Sequence, residues 1–198
     1  MQFSRVVAFL AGASLALGGT VPRAEPVFND NGLTFRGQIN GHAYEETGTV
    51  QEVWAKLKAR HPEIELPKRS DAPIVLKRDK ELPPSCIPIP AWPSWNFAEA
   101  AAIEDGVDYL IGLNSELTNG PGPGNCGRIS CSYNSAIYYC NDNPYDYSVN
   151  SGDLASYAQD MLNDCQHCIS SGGSFFCVVG GQEFDTDGFN VIVRDASC

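Results

Sequence analysis

The eight cysteines of this 198-residue chain all lie between Cys86 and Cys198, and nothing before Cys86 carries a thiol. An even number of closely spaced cysteines constrains a fold more than any other local signal. Cys86, Cys126, Cys131, Cys140, Cys165, Cys168, Cys177 and Cys198 read as a disulfide framework whose pairing the sequence leaves open. Upstream of the first stands Lys77-Arg78, a dibasic pair of the kind cut by furin- or kexin-type proteases, with Lys68-Arg69 as a second pair before it.

The ends agree with an oxidising destination. Arg5 precedes the apolar run from Val6 to Leu17, which is shorter than the roughly 20 residues a bilayer span needs and suits a signal-peptide core. Small residues at Ala16, Gly18 and Gly19 offer a cleavage point. The expected organisation is a signal peptide over 1–19, a propeptide over 20–78 and a mature domain over 79–198. The protein is expected to be secreted, without a stable membrane anchor.

Charge changes at the same place as cysteine content. The whole chain carries a formal charge of -11. Residues 20–78 hold nine Lys or Arg against eight Asp or Glu, whereas residues 79–198 hold three against sixteen. Such an acidic body repels phosphate backbones, so nucleic acid is not an expected partner.

Within the propeptide, Leu33 to Ile39 alternates as a strand does and Asn40-Gly41 marks a turn. Thr49-Val50-Gln51-Glu52 has the pattern of a capping box, and Val50, Val53, Trp54 and Leu57 follow at helical spacing until Pro62. The body reads as a helix from Phe97 to about Leu113 capped by Asn96, and a hairpin of 128–132 with 136–140. A second helix from Gly152 to Cys165 follows, capped by Ser151, then strands at 175–179 and 189–194. The expected fold class is α+β, two helices packed on a four-stranded antiparallel sheet in the order αββαββ. The last strand is expected to be half buried, with Phe189, Val191 and Val193 on one face.

Candidate chemistry is sparse. Cys165-Gln166-His167-Cys168 sits at a helix carboxyl end, where the dipole disfavours a thiolate, so it reads as structural pairing rather than a redox site. His167 has no nucleophile elbow to serve. Glu183, Asp185 and Asp187 alternate beside Gly188, but no calcium-loop pattern closes around them. Paired carboxylates such as Asp142 or Asp146 with Asp185 could serve glycoside hydrolysis, but a solvated acidic rim is the better reading. Tyr133, Tyr138, Tyr139, Tyr145 and Tyr147 cluster in sequence, with Trp92 and Trp95 nearby. Tyr133, Tyr145 and Tyr147 are the candidate binding residues, since rigid rings make good recognition surfaces. No catalytic residue, metal or cofactor is expected.

The stretch from Pro123 to Ile137 (PGNCGRISCSYNSAI) and the closing FNVIVR of Phe189 to Arg194 resemble small secreted cysteine-rich proteins of filamentous fungi. The resemblance covers about residues 97–198. In element order and cysteine placement the body is also similar to fungal killer toxins and necrosis-inducing effector domains. That resemblance implies a two-helix, four-stranded sandwich, a dibasic-processed precursor and several disulfides. The function it implies is a non-enzymatic effector or toxin-like monomer binding an extracellular target on a host or competing microbe. Ion-channel toxins of this kind rely on basic residues, of which this body has three, so no contact residue carries over. An extracellular carbohydrate- or protein-binding module of inhibitor type is the alternative, and a secreted hydrolase the third possibility.

Overall fold

The computed structural model describes residues 25–68 and 79–198, residue 172 excepted, and leaves the side chains of 171 and 174 undescribed. The expected signal peptide, Arg69 and the Lys77-Arg78 pair lie outside the described residues, whereas Lys68 is described and exposed.

The amino-terminal segment builds its elements from local rules. Strand β1 spans Val27–Asn29, β2 Leu33–Ile39 and β3 His42–Gly48, with the Asn40-Gly41 turn joining the last two at positive φ. Helix α1, Val50–Arg60, starts on a complete capping box: Thr49 receives the Glu52 amide and the Glu52 carboxylate receives the Thr49 amide. Its apolar stripe of Val50, Val53 and Leu57 is buried.

Residues 79–198 hold ten strands and two helices. Strand β4 is Lys80–Cys86, β5 Ala98–Glu99, β6 Glu116–Asn119, β7 Asn125–Ser132, β8 Ser135–Asn141 and β9 Tyr147–Asn150. Strand β10 is His167–Ser171, β11 Ser174–Val179, β12 Gly181–Asp185 and β13 Phe189–Asp195. Helix α2 is Ala100–Leu113 and α3 is Ser151–Asp164. The thirteen strands form three sheets: a six-stranded mixed sheet β1-β7-β8-β13-β12-β4, a four-stranded sheet β3-β2-β6-β9 and a three-stranded sheet β10-β11-β5.

The two-helix, four-stranded αββαββ sandwich is therefore not the fold. Three helices and thirteen strands replace it among the described residues, and β1 runs parallel to β7. Two reasons are physical. Strand β4 contains Pro83 and Pro84, which a strand tolerates only at a sheet edge, and an edge is where β4 lies. The amino-terminal segment also contributes β2 to the same sheet as β6, instead of folding apart from it.

The helices start close to their expected positions, with different caps. Helix α2 begins after Glu99, because residues 98–99 pair with β11, and it ends on Asn114 in the left-handed conformation. Helix α3 is capped by Asn150, whose side chain accepts the Gly152 amide at 2.8 Å. Ser151 instead donates to the Leu110 carbonyl at 2.7 Å and accepts the Ser115 amide at 2.8 Å, tying the two helices together. Gly106 permits close packing of α2 on the sheet, since a Cβ there would lie 2.4 Å from Ser130 Oγ.

The six-stranded sheet is covered on both faces. One face presents Ile129, Ile137, Tyr139, Phe189, Val191 and Val193 to a core shared with all three helices. The other presents Cys126, Ala136, Tyr138, Cys140 and Ile192 to a smaller core closed by Phe28, Ile87, Ile89 and Trp95. Strand β13 is thus buried on both faces through Val193, where half-burial was expected.

All eight cysteines are paired: Cys86–Cys165, Cys126–Cys140, Cys131–Cys198 and Cys168–Cys177. Cys165 and Cys168 bond to different partners, so the Cys-x-x-Cys spacing reflects two neighbouring staples. No helix among the described residues is long and apolar enough to cross a membrane.

Candidate functional site

Alternation along β12 and β13 sends neighbouring residues to opposite faces of the central sheet, and the polar residues there divide accordingly. Gln182 and Asn190 point toward the smaller core, while Glu183 and Asp185 point under α3. Two polar centres result, back to back.

The first lies in an open groove of about 320 Å³ lined by Pro26, Ser85, Ile89, Trp92, Asp142, Gln182, Phe184 and Asn190, among others. A continuous row of hydrogen bonds runs along it. The Trp92 indole donates to Gln182 Oε1 at 3.3 Å, Gln182 Nε2 donates to Asn190 Oδ1 at 3.0 Å, and Asn190 Nδ2 donates to Asp142 Oδ2 at 2.8 Å. The row ends where the Gly124 amide donates to Asp142 Oδ1 at 2.8 Å. Each bond fixes which end of the next amide is oxygen. Each amide nitrogen keeps a second hydrogen, and the carboxylate keeps lone pairs, so the row retains capacity for a ligand. Trp92 itself is braced by Trp95, with ring centroids 5.7 Å apart and planes 16° from parallel.

The second centre is sealed. Glu183 has no exposed surface, and no hydrogen-bond donor reaches either carboxyl oxygen. Burial foremost pushes its pKa up to about 8, against the pull of Lys80 and with a further push from Asp160 and Asp164. Asp160, one of the carboxylates that push it up, in turn holds Lys80 at 2.5 Å. Lys80 also lies over the Tyr157 ring, and the Tyr157 hydroxyl donates to Asp185. The cluster ties β4, β12 and α3 together beneath the helix.

The carboxylates considered for hydrolysis do not converge. Asp142 faces the groove and Asp185 faces α3, with the sheet between them. Asp146 is exposed in the loop between β8 and β9. The Asp187 carboxylate accepts the Tyr147 hydroxyl at 3.0 Å, while its backbone amide donates to Asp185 Oδ1 at 2.8 Å.

The tyrosines separate too. Tyr138 and Tyr139 are buried on opposite faces of β8. Tyr133, 79% exposed, occupies the turn before β8, and Tyr145, 57% exposed, follows its far end. Seven residues of strand, roughly 20 Å, stand between them. Tyr147 is half-buried and stacked on Phe189. His167 packs edge-on against Phe97.

Trp92 stands out in the sequence only beside the tyrosine cluster and Asp142 only as a carboxylate considered for hydrolysis, not as partners in one site. Gln182 and Asn190 do not stand out, although an asparagine inside Phe189-Asn190-Val191-Ile192-Val193 is a polar residue in an apolar strand and marks the place. No family model matches the chain, and neither the curated proteins nor the solved structures compared with it contain a match.

Proposed function

We propose that this chain is a secreted, non-enzymatic binding protein of the effector type, and that the groove beneath Trp92 takes a neutral polyol such as a segment of a cell-wall polysaccharide. The row Trp92–Gln182–Asn190–Asp142 carries the proposal. Side-chain amides offer a donor and an acceptor at the spacing of neighbouring hydroxyls, a carboxylate accepts two more, and a rigid indole covers the apolar face of a ring. The formal charge of -11 disfavours polyanions and leaves neutral ligands unaffected. Four disulfides fit an extracellular setting.

Binding is favoured over hydrolysis by the acid inventory of the groove. Among the described residues, Asp142 is the one carboxylate lining it. Glycoside hydrolysis ordinarily needs two, about 5–9.5 Å apart across the scissile bond. Retention of the purified chain on insoluble chitin, cellulose or β-glucan, without release of reducing sugar, is the expected result. Failure to be retained on any of them, or sugar release lost in Asp142→Asn, would defeat the proposal.

A protein-facing effector role is favoured by a separate observation. Beyond the Cys168–Cys177 bridge, the β10–β11 hairpin exposes Phe175 by 73%, Phe176 by 42% and Ile169 by 41%. If that arm meets the target, Phe175→Ser with Phe176→Ser abolishes the response of target cells and leaves polysaccharide retention intact.

A further inference from the structure

Two of the chain's three histidines meet on the segment that has no cysteine. His42 opens β3 directly after the Asn40-Gly41 turn, and His61 ends α1. Their ring centroids lie 4.0 Å apart, with the planes tilted by 30°. Glu63 reaches both: its Oε1 is 3.4 Å from His42 Nε2 and 3.5 Å from His61 Nδ1. The ligand atoms of all three lie within 4.8 Å of one another.

These separations have a natural interpretation. Metal–ligand bonds of about 2.0–2.2 Å in a tetrahedron place neighbouring ligand atoms roughly 3.3–3.5 Å apart. The two histidine–carboxylate distances already have that value. Two imidazoles and one carboxylate also form a donor set suited to zinc, with a fourth position left to water.

The site is built on anchored backbone. Pro62 ends the helix, and the Ile64 amide donates to the His61 carbonyl at 3.2 Å. Lys58 Nζ donates to the carbonyls of Pro62 at 2.7 Å and Ile64 at 2.6 Å, while the Ile64 side chain is buried in the main core. Arg60, next to His61 in the chain, is engaged elsewhere, pairing with Glu46 at 2.6 Å. The side chains of His42, His61 and Glu63 are 39%, 33% and 62% exposed, which leaves an ion a way in. All eight cysteines are bonded to one another, so no thiolate competes for it.

We propose that His42, His61 and Glu63 bind a divalent transition metal of the zinc type, clipping the β2–β3 hairpin to the end of α1. The ion supplies to this segment the kind of constraint that disulfides supply to the rest of the chain. This site is separate from the groove and does not depend on its ligand.

Titration calorimetry of zinc chloride into the chelator-treated full chain, produced in a bacterial periplasm so that the disulfides form, tests it. One ion per chain is expected. His42→Ala and His61→Asn should each weaken binding roughly 100-fold or more, beyond the 10–100-fold cost of losing an outer-shell partner. His167→Ala should change nothing. Cobalt(II) should give the visible absorption of a tetrahedral ion, absent in the histidine variants, whose melting curves show whether they remain folded. Zinc uptake that is absent, or that persists undiminished in folded His42→Ala and His61→Asn, overturns the proposal. So does an effect of these variants on stability alone, which would leave the three side chains as an ion-paired cluster.

Discussion

Phe35 of β2 sits directly opposite Leu117 of β6, and neither side chain has any exposed surface. One belongs to the segment before the dibasic pairs and the other to the disulfide-rich body. Similar contacts recur along the boundary. Tyr44 donates to the Leu113 carbonyl at 3.2 Å and shares a 2.5 Å hydrogen bond with Ser115. Tyr138 donates to Asp30 at 2.9 Å, and burial together with that carboxylate pushes the Tyr138 phenol up to about 12. Pro26 lines the groove itself. The amino-terminal segment thus completes the core and one wall of the candidate site, with no disulfide to hold it there.

A cut after Arg78 is accordingly expected to leave two chains that stay together. Native size-exclusion of the processed protein should show one particle containing both pieces, which separate only in denaturant. A processed body that elutes alone, with native stability, would show that residues 25–68 are dispensable.

Gln51 should matter more than a helix surface residue normally does. The register of β7 slips between Arg128 and Ser130, and Gln51 fills the irregularity by donating to Ser130 Oγ at 2.8 Å and accepting the Cys131 amide at 3.2 Å. Gln51→Ala leaves a partly buried amide unpaired and should cost about 1–3 kcal/mol in chemical denaturation. A cost indistinguishable from zero would mean that water replaces the amide.

Glu183 gives stability a defined pH dependence. Its carboxyl titrates near 4.5 when unfolded and near 8 when folded. Between those values the folded state binds a proton that the unfolded state does not, so stability falls as pH rises, by up to about 1.4 kcal/mol per pH unit. Its contribution is complete below about pH 4.5 and lost by about pH 8. Glu183→Gln should remove this slope, and the difference in Tm between variant and wild type should move in the variant's favour from pH 5 to pH 8. A constant difference would contradict the account of the sealed cluster.

The four bridges should not be equivalent. Cys86–Cys165 spans 79 residues and fastens β4 to the end of α3, whereas Cys168–Cys177 spans 9 within one hairpin. In the chain-entropy picture these loops are worth roughly 4.5 and 2.6 kcal/mol. Replacing each pair with alanine and comparing denaturation midpoints should therefore show the larger loss for the first. Equal losses would point to folded-state effects instead.

Local signals made part of this legible. The capping box of α1, the Asn40-Gly41 turn and the strand over 33–39 follow from spacing and cap chemistry, and both body helices from spacing alone, since Glu99 and Asn150 stand at the caps expected of Asn96 and Ser151. The hairpin of β7 and β8 did as well, through Tyr133 and Asn134, which take the positive φ that a tight turn requires. Pairing across distance was not legible. All seven residues of β8 are buried, so the alternation that assigns a face is erased. Strands β6 and β9 have four residues each, too few for a period to register. Gln182, Asn190, Asp142 and Trp92 come from four separate stretches, and only the six-stranded sheet with its covering segment brings them into one row.

The most direct measurement of the binding proposal is calorimetric titration of the full chain with soluble chitin, cellulose and β-glucan oligosaccharides. Saturable binding of at least one is expected, weakened about tenfold or more in Asn190→Ala and in Trp92→Ala, and unchanged in Tyr133→Ala. No binding to any of the three, or binding undiminished in both groove variants, would contradict it.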